Sequence, residues 1–316
     1  MTAVYAILAI LIFGLLVAIH EFGHFSAAKL CGVRVEEFAV GMGPALWKKQ
    51  KGETLYSLRA VPFGGYCAMT GEDGESYDPR AFGNQKVWKR LLILVAGSFN
   101  NFLLGFLIVL ILQLSTGLVP NSREVPVIGG FMDGCPYESA EGLQTGDRFL
   151  RIDGKRVWQY YDVADFLAAG GEDHDIVVIR DGHRVKLEDF HMVRISYEGY
   201  ENKMYGFTFG LDEPTLGNKL RYAGATTMEF VRMVWDALGQ LVGGKVSVND
   251  LSGPVGIVDM MAETGEQAES VSDGLYSIFY LGAFIAVNLA VMNMLPIPAL
   301  DGGRVFLLLI TAERKS

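Results

Sequence analysis

Three long stretches without a single charge decide most of what this chain can become. They are residues 3–19, 91–114 and 275–300, with 17, 24 and 26 residues. A helix crosses the hydrocarbon core of a bilayer with ~20 mostly apolar residues, within a range of ~17–25. The composition agrees. Counting glycine and leaving out tyrosine, about 58% of the 316 residues are apolar, against roughly 45–50% in soluble domains. That richness excludes a disordered acidic chain. Three cysteines, Cys31, Cys67 and Cys135, exclude a disulfide scaffold and read as free thiols. A formal charge of −9 argues against a nucleic-acid partner and leaves the lipid bilayer as the expected one. The first run has no basic residue before it and no small-residue cleavage site after it, so it reads as a span rather than a signal peptide.

Charge then orients the runs. Residues 29–90 hold ten Lys/Arg, including Lys48, Lys49 and Lys51, whereas residues 121–274 carry a net charge of −12. Short basic loops stay in the cytoplasm, and long domains cross regardless of charge. The first and third runs therefore point inward and the second points outward. The acidic segment lies outside, and the tail Glu313-Arg314-Lys315-Ser316 lies inside.

The inner end of the first run reads His20-Glu21-Phe22-Gly23-His24. On a helix, positions i and i+4 share a face, so both imidazoles reach one ion. Zinc accepts two imidazoles and a carboxylate and keeps a fourth position for water. Glu21 stands beside them as the candidate general base. The blander reading places the three side chains among lipid headgroups. Ionisable groups within a span are costly, however, and by default mark a functional site. The third ligand is sought at the same depth. At ~1.5 Å per residue His20 lies ~25 Å along an inward-running helix, and Asp301 lies past the twenty-fifth residue of another. Pro296 and Pro298 break that helix just before it. Broken backbone at membrane depth needs protein or a water-filled cavity around it. Asn101, Asn288 and Asn293 are amides within the runs. They serve either interhelical hydrogen bonds of ~0.6–2 kcal/mol or a polar site.

Between the first two runs, Gly41-Met42-Gly43-Pro44 reads as a turn and residues 53–59 alternate like a strand. Gly64-Gly65 reads as a bend or close-approach point. An extended peptide could pair with a strand edge here. Residues 125–190 read as a small β-rich unit. Val127-Ile128-Gly129-Gly130-Phe131 is strand-like, and residues 139–155 resemble part of a PDZ domain, which implies a short helix from Ser139, a Gly146-Asp147 turn, a strand and an Asp153-Gly154 hairpin. The same resemblance assigns residues 162–169 to a second helix and residues 175–180 and 185–187 to closing strands. Leu220, Ala223, Val231, Val234, Trp235, Leu238 and Leu241 recur at helical spacing before Gly243-Gly244, an amphipathic helix. His174, His183 and His191 have no ligand spacing and are expected in solvent.

Taken together, His20–His24, Ala96-Gly97-Ser98-Phe99-Asn100-Asn101-Phe102 and residues 288–303 resemble the site-2 protease family of intramembrane zinc metalloproteases, in particular the bacterial type that regulates sigma factors. Val61-Pro62-Phe63-Gly64-Gly65-Tyr66 and Leu251-Ser252-Gly253-Pro254-Val255-Gly256-Ile257 extend the resemblance over nearly the whole chain. It implies one Zn²⁺ held by His20, His24 and Asp301, with Glu21 as catalytic acid/base. It also implies polar support from Asn101, Asn288 and Asn293, and substrates that are single-span membrane proteins. The expected fold is a multi-pass α-helical protein of a bacterial cell membrane. A membrane-associated β-hairpin carries Gly64 and Gly65, and one extracytoplasmic PDZ domain is inserted. The expected parts are a peptidase core at 1–120 and 275–316, a PDZ domain at 121–215, and a helix with connector at 216–274. The active site faces the cytoplasmic side. The chain departs from the family at Ser98, where proline is usual, and beyond Asp301-Gly302-Gly303. There the family has one more span, and residues 305–310 supply six apolar residues. The competing readings are a non-catalytic membrane-anchored PDZ adaptor and a metal transporter, the latter wanting more ligands within the spans.

Overall fold

The structure is a computed structural model that describes residues 2–72, 74–115, 123–244 and 253–313. Leu251 and Ser252 of the sequence motif and residues 314–316 of the basic tail lie outside the described residues. The first half of the chain forms α1 (Thr2–Cys31), β1 (Val35–Lys51), β2 (Thr54–Met69), α2 (Val87–Leu114), β3 (Arg123–Phe131), β4 (Arg148–Ile152), β5 (Lys155–Arg156) and α3 (Tyr160–Ala169). The second half forms β6 (Asp173–Arg180), β7 (His183–His191), β8 (Phe207–Asp212), α4 (Leu216–Val242), α5 (Pro254–Glu266), α6 (Val271–Asn293) and α7 (Asp301–Glu313). The chain divides into two compact units, Met1–Leu118 with Phe230–Ser316, and Val119–Glu229.

In the first unit, α1, α2 and α6 are long and apolar enough to cross a membrane. The charge-free run and the helix do not end together in α1. Charge begins at His20, but the helix continues to Cys31, where Gly32 takes φ +78°. There the N–H of Val33 donates to Ala28 and that of Gly32 to Lys29, a Schellman stop. Helix α6 stops at Asn293, three residues short of Pro296. A helical Pro296 would clash with the carbonyl of Met292, and it bars Leu295 from helical angles.

Packing fixes the directions. Tyr5 near the start of α1 lies against Gly274 near the start of α6, and Tyr5, Ala9, Leu16, Ile278 and Ala286 share one buried cluster. These two helices therefore run the same way. Ile93, near the start of α2, touches His24 late in α1, so α2 runs opposite. Helix α5, which the sequence did not announce, adds Val258, Met261 and Ala262 to the α1–α6 cluster. Glycines set the approach distances. A Cβ on Gly105 would lie 2.6 Å from Val287 Cγ2 and 2.9 Å from the carbonyl oxygen of Ala283 on α6.

Strands β1 and β2 form a hairpin that doubles back on itself. Phe38 pairs with both Cys67 and Tyr56, and Val40 with both Gly65 and Leu58. The tip consequently returns to the end of α1. Glu53 at the tip accepts from Lys29 and Arg80, whose cations, Arg80 first, hold its carboxyl down at about 2. The expected turn at Gly41-Met42-Gly43-Pro44 is instead a bulged part of β1, with Gly41 at φ +85° and Gly43 at +78°. This bend lies along α1: Phe63 packs edge-on against Phe13, ring centroids 5.6 Å apart, and Gly14 faces the Pro62 carbonyl.

The second unit is a six-stranded sheet in the order β7-β6-β4-β3-β8, with β5 beside β4. Its core gathers Ile128, Leu143, Phe149, Val163, Leu167 and Ile176. Asp147 is fully buried and receives a fork from Arg180 at 2.8 and 2.7 Å plus the N–H of Gln144. The strands at 175–180 and 185–187 and the helix at 162–169 fall within β6, β7 and α3. The short helix expected from Ser139 does not form. Ser139 Oγ accepts from the Gly142 N–H at 2.7 Å, and a bridge joins Glu138 to Leu143. This local turn competes with helix. His174 is not in solvent: it is 1% exposed and bonds Asp153 through Nδ1 at 2.8 Å. In α4 the stripe is narrower than its spacing implied. Ala223 and Val234 are buried, but Leu220 and Trp235 are exposed.

The α2–α6 contact has a simple test. Gly105→Leu overpacks it and should cost about 1–3 kcal/mol, whereas Gly239→Ala, which meets nothing within 4 Å, should cost nothing. Thermal unfolding midpoints of the purified variants compare the two.

Candidate metal centre

Three chain segments converge at the C-terminal half of α1. His20 and His24 lie one turn apart and are 9% and 7% exposed. Their rings meet edge to face, with centroids 4.8 Å apart. Asp301, the first residue of α7, brings Oδ2 to 3.2 Å from each Nε2, and the two Nε2 atoms are 3.1 Å apart. The sequence expectation that Asp301 reaches the depth of His20 thus describes the observed geometry. Within this set, His24 Nδ1 lies 2.8 Å from the carbonyl oxygen of Ile93. A carbonyl only accepts, so Nδ1 carries the proton and Nε2 presents its lone pair.

The donor set fits a zinc ion. Bonds of ~2.0–2.1 Å in a tetrahedron put ligand atoms ~3.3–3.4 Å apart, close to the observed triangle of 3.1, 3.2 and 3.2 Å. Two imidazole lone pairs and one carboxylate would neutralise one charge of a divalent cation. Beside the triangle is a cavity of about 240 Å³ lined by Glu21, Asn101, Leu289, Asn293, Ala299 and Leu300 together with His20, Val17 and Asp301.

The turn before Asp301 is held by backbone contact. Leu300 N–H donates to Ile297 and Gly303 N–H to Leu300. A Cβ on Gly302 would overlap the carbonyl of Met294, and one on Gly303 the carbonyl of Ile297. The two glycines let the 294–300 loop fold onto the start of α7, which aims Asp301 at the imidazoles.

Gly97 and Gly23 take part in the site through close backbone approach. A Cβ on Gly97 would overlap His24 Nε2 and crowd His20, and one on Gly23 would overlap the Ala96 carbonyl. Helix α2 therefore backs directly onto the imidazoles. The signal was present as small residues at Gly97 and Gly105, eight positions apart on one helix face.

The remaining expected residues divide. Asn101 and Asn293 line the cavity, and Asn288 does not. Gly65 lies against the site from the hairpin: its Cβ would come 3.0 Å from Glu21 Cγ and 2.9 Å from the Ala39 carbonyl oxygen. Gly64, at φ +99°, is pressed against the Met42 side chain instead. Asn100, unremarked in the sequence, donates to the Ile19 carbonyl at 3.4 Å and so bridges α2 to α1.

The chain is similar to known proteins over nearly its whole length. A Clostridium acetobutylicum protein provisionally named a zinc metalloprotease is 36% identical over 306 residues, covering 96% of this chain and 86% of that protein. A Clostridium perfringens protein with a similar name is 36% identical over 310 residues, 97% of this chain and 88% of that protein. The regulator of sigma-W protease RasP of Bacillus subtilis is 28% identical over 390 residues, 96% of this chain and 89% of that protein. The family model described as peptidase family M50 matches residues 8–316, and the chain belongs to that family.

Proposed function

We propose that this intramembrane zinc metalloprotease cuts the membrane-spanning segments of single-span proteins near their cytoplasmic ends, with His20, His24 and Asp301 holding the metal and Glu21 as general base. The observation that carries the reading is the triangle of two imidazole nitrogens and one carboxylate oxygen beside a cavity that Glu21 lines. Zinc, when bound, supplies a Lewis acid and makes water a competent nucleophile near neutral pH. Glu21 takes the proton of the attacking water and returns it to the leaving amine. His24 is kept in its ligand tautomer by Ile93.

The substrate enters as an extended strand. A helix shields its carbonyls in hydrogen bonds, and it must unwind before water can attack. The segment of β2 around Gly65 pairs with β1 on one side and lies beside Glu21. A peptide added to its other edge runs past the base. Gly65 keeps that approach free of a side chain, and Gly64 permits the bend. Met42, Leu46, Trp47, Leu58 and Val61 are exposed around the hairpin bend, and the bend reaches the level of Phe13 on α1. These features support a hairpin dipped into the bilayer.

The β-rich unit is read as a PDZ domain on the extracytoplasmic side. Its support is the sheet with α3 and the net charge of −12 over residues 121–274, opposite ten Lys/Arg in residues 29–90. Its task is to admit substrates already trimmed outside. The parts remain 1–120 and 275–316 for the peptidase core, 121–215 for the PDZ domain and 216–274 for the helix and connector. Anti-sigma factors and remnant signal peptides are the substrate classes, the first suggested by the name of the Bacillus subtilis relative.

Three measurements bear on this. Reconstituted wild-type protein should cleave a single-span substrate, and a chelator should stop it. Glu21→Gln should retain zinc and lose about 10²–10⁴-fold in rate; full cleavage by this variant would sink the mechanism. Asp301→Asn should hold well below one zinc per chain by metal analysis of the purified protein. Unchanged zinc would remove Asp301 from the ligand set.

A further inference from the structure

Asn101 lines the cavity with a side chain whose two polar atoms are both unpaired among the described residues. It is 0% exposed, and neither Nδ2 nor Oδ1 has a hydrogen-bond partner among the described residues. A fully buried, wholly unpaired amide calls for an explanation. The packing explanation does not serve. The neighbouring Asn100 already bridges α2 to α1 through the Ile19 carbonyl. One turn to either side, Gly97 and Gly105 make the close contacts to the imidazoles and to α6. Asn101 sits between them, where α2 lines the cavity shared by His20, Glu21 and Asp301.

Among the side chains that line the cavity, the amides of Asn101 and Asn293 carry N–H donors, and Asn101 is the fully buried one of the two. Glu21 and Asp301 are acceptors, and the imidazole Nε2 atoms are committed as ligands. When water adds to a peptide carbonyl, the new O–C bond forms as the C=O electron pair moves onto oxygen. The C–N bond then breaks as the amine takes up the proton. Negative charge therefore grows on the former carbonyl oxygen, and a preorganised neutral N–H is worth most there, in a site closed to bulk water. Resting on the proposed function, we infer that Asn101 is a catalytic residue whose Nδ2–H donates to the scissile carbonyl oxygen as it becomes an oxyanion.

The test uses the full chain in proteoliposomes with the single-span reporter that wild type cleaves fastest. Asn101→Leu, close in size and without a donor, should lower kcat on the order of 10²–10³-fold. KM should change little, and zinc per chain should stay at the wild-type value. Asn101→Ser, which keeps a hydroxyl donor, should recover part of kcat. As a readout independent of turnover, capture of uncleaved reporter by Glu21→Gln and by Glu21→Gln with Asn101→Leu should be equal. The inference is overturned if kcat falls less than about threefold, or if zinc or reporter capture falls in step with kcat, which would make Asn101 structural. Should Asn101→Leu fail to fold, Asn101→Ser decides: wild-type kcat and KM in that variant together with full activity in Asn101→Ala overturn the inference. Failure of the underlying reading looks different, because Glu21→Gln would then cleave the reporter while Asn101→Leu still lost activity.

Discussion

Two imidazoles and two carboxylates inside a set of apolar helices are stable only if protein encloses them and, on the proposed ligand set, a cation joins His20, His24 and Asp301. Hydrocarbon would penalise each of them by several kcal/mol. The enclosure is achieved by backbone rather than by bulk. Gly97 lets α2 press against the rings, Gly23 lets α1 press against Ala96, and Gly302-Gly303 let the 294–300 loop close over the start of α7. The cation replaces what water would otherwise provide. Each feature needs the other: without the glycines the ligands would not converge, and without the ligands there would be no reason for such close backbone approach.

For the hairpin proposed to dip into the bilayer, the same environment makes a second demand. Strand edges expose unpaired N–H and C=O groups, which are costly in lipid. Doubling β1 and β2 back gives residues 37–40 partners on both sides and leaves few free edges. The edge that remains beside Glu21 is the one a substrate backbone could pair with. The charged tip is kept away from that edge by Lys29 and Arg80, which hold Glu53 at the end of α1.

Much of this was legible in the sequence because it depends on local rules. Charge-free length gives the three helices, i/i+4 spacing gives the histidine pair, and the prolines give the break before Asp301. Depth arithmetic places Asp301 at the level of the histidines, and the structure brings its Oδ2 to 3.2 Å from each Nε2. The rest depends on tertiary partners. Gly41-Met42-Gly43-Pro44 looks like a turn, but the hairpin bends around α1, where Phe13 and Gly14 receive Phe63 and Pro62. The segment from Ser139 has helix-compatible residues, yet its own hydroxyl captures the Gly142 N–H. His174 carries no motif, and only the fold of β6 beside Asp153 buries it. Asn101 and Asn288 are alike as letters; helix rotation alone puts the first in the cavity and leaves the second out.

The parallel course of α1 and α6 also has a consequence in time. Synthesis delivers His20 and His24 within the first helix, and Asp301 only after the β-rich unit and α6 have been made. On the proposed ligand set, two imidazoles alone are an incomplete zinc site, and firm metal capture would wait for α7 to dock. The order of His20, His24 and Asp301 along the chain would then tie a complete metal site to closure of the bundle.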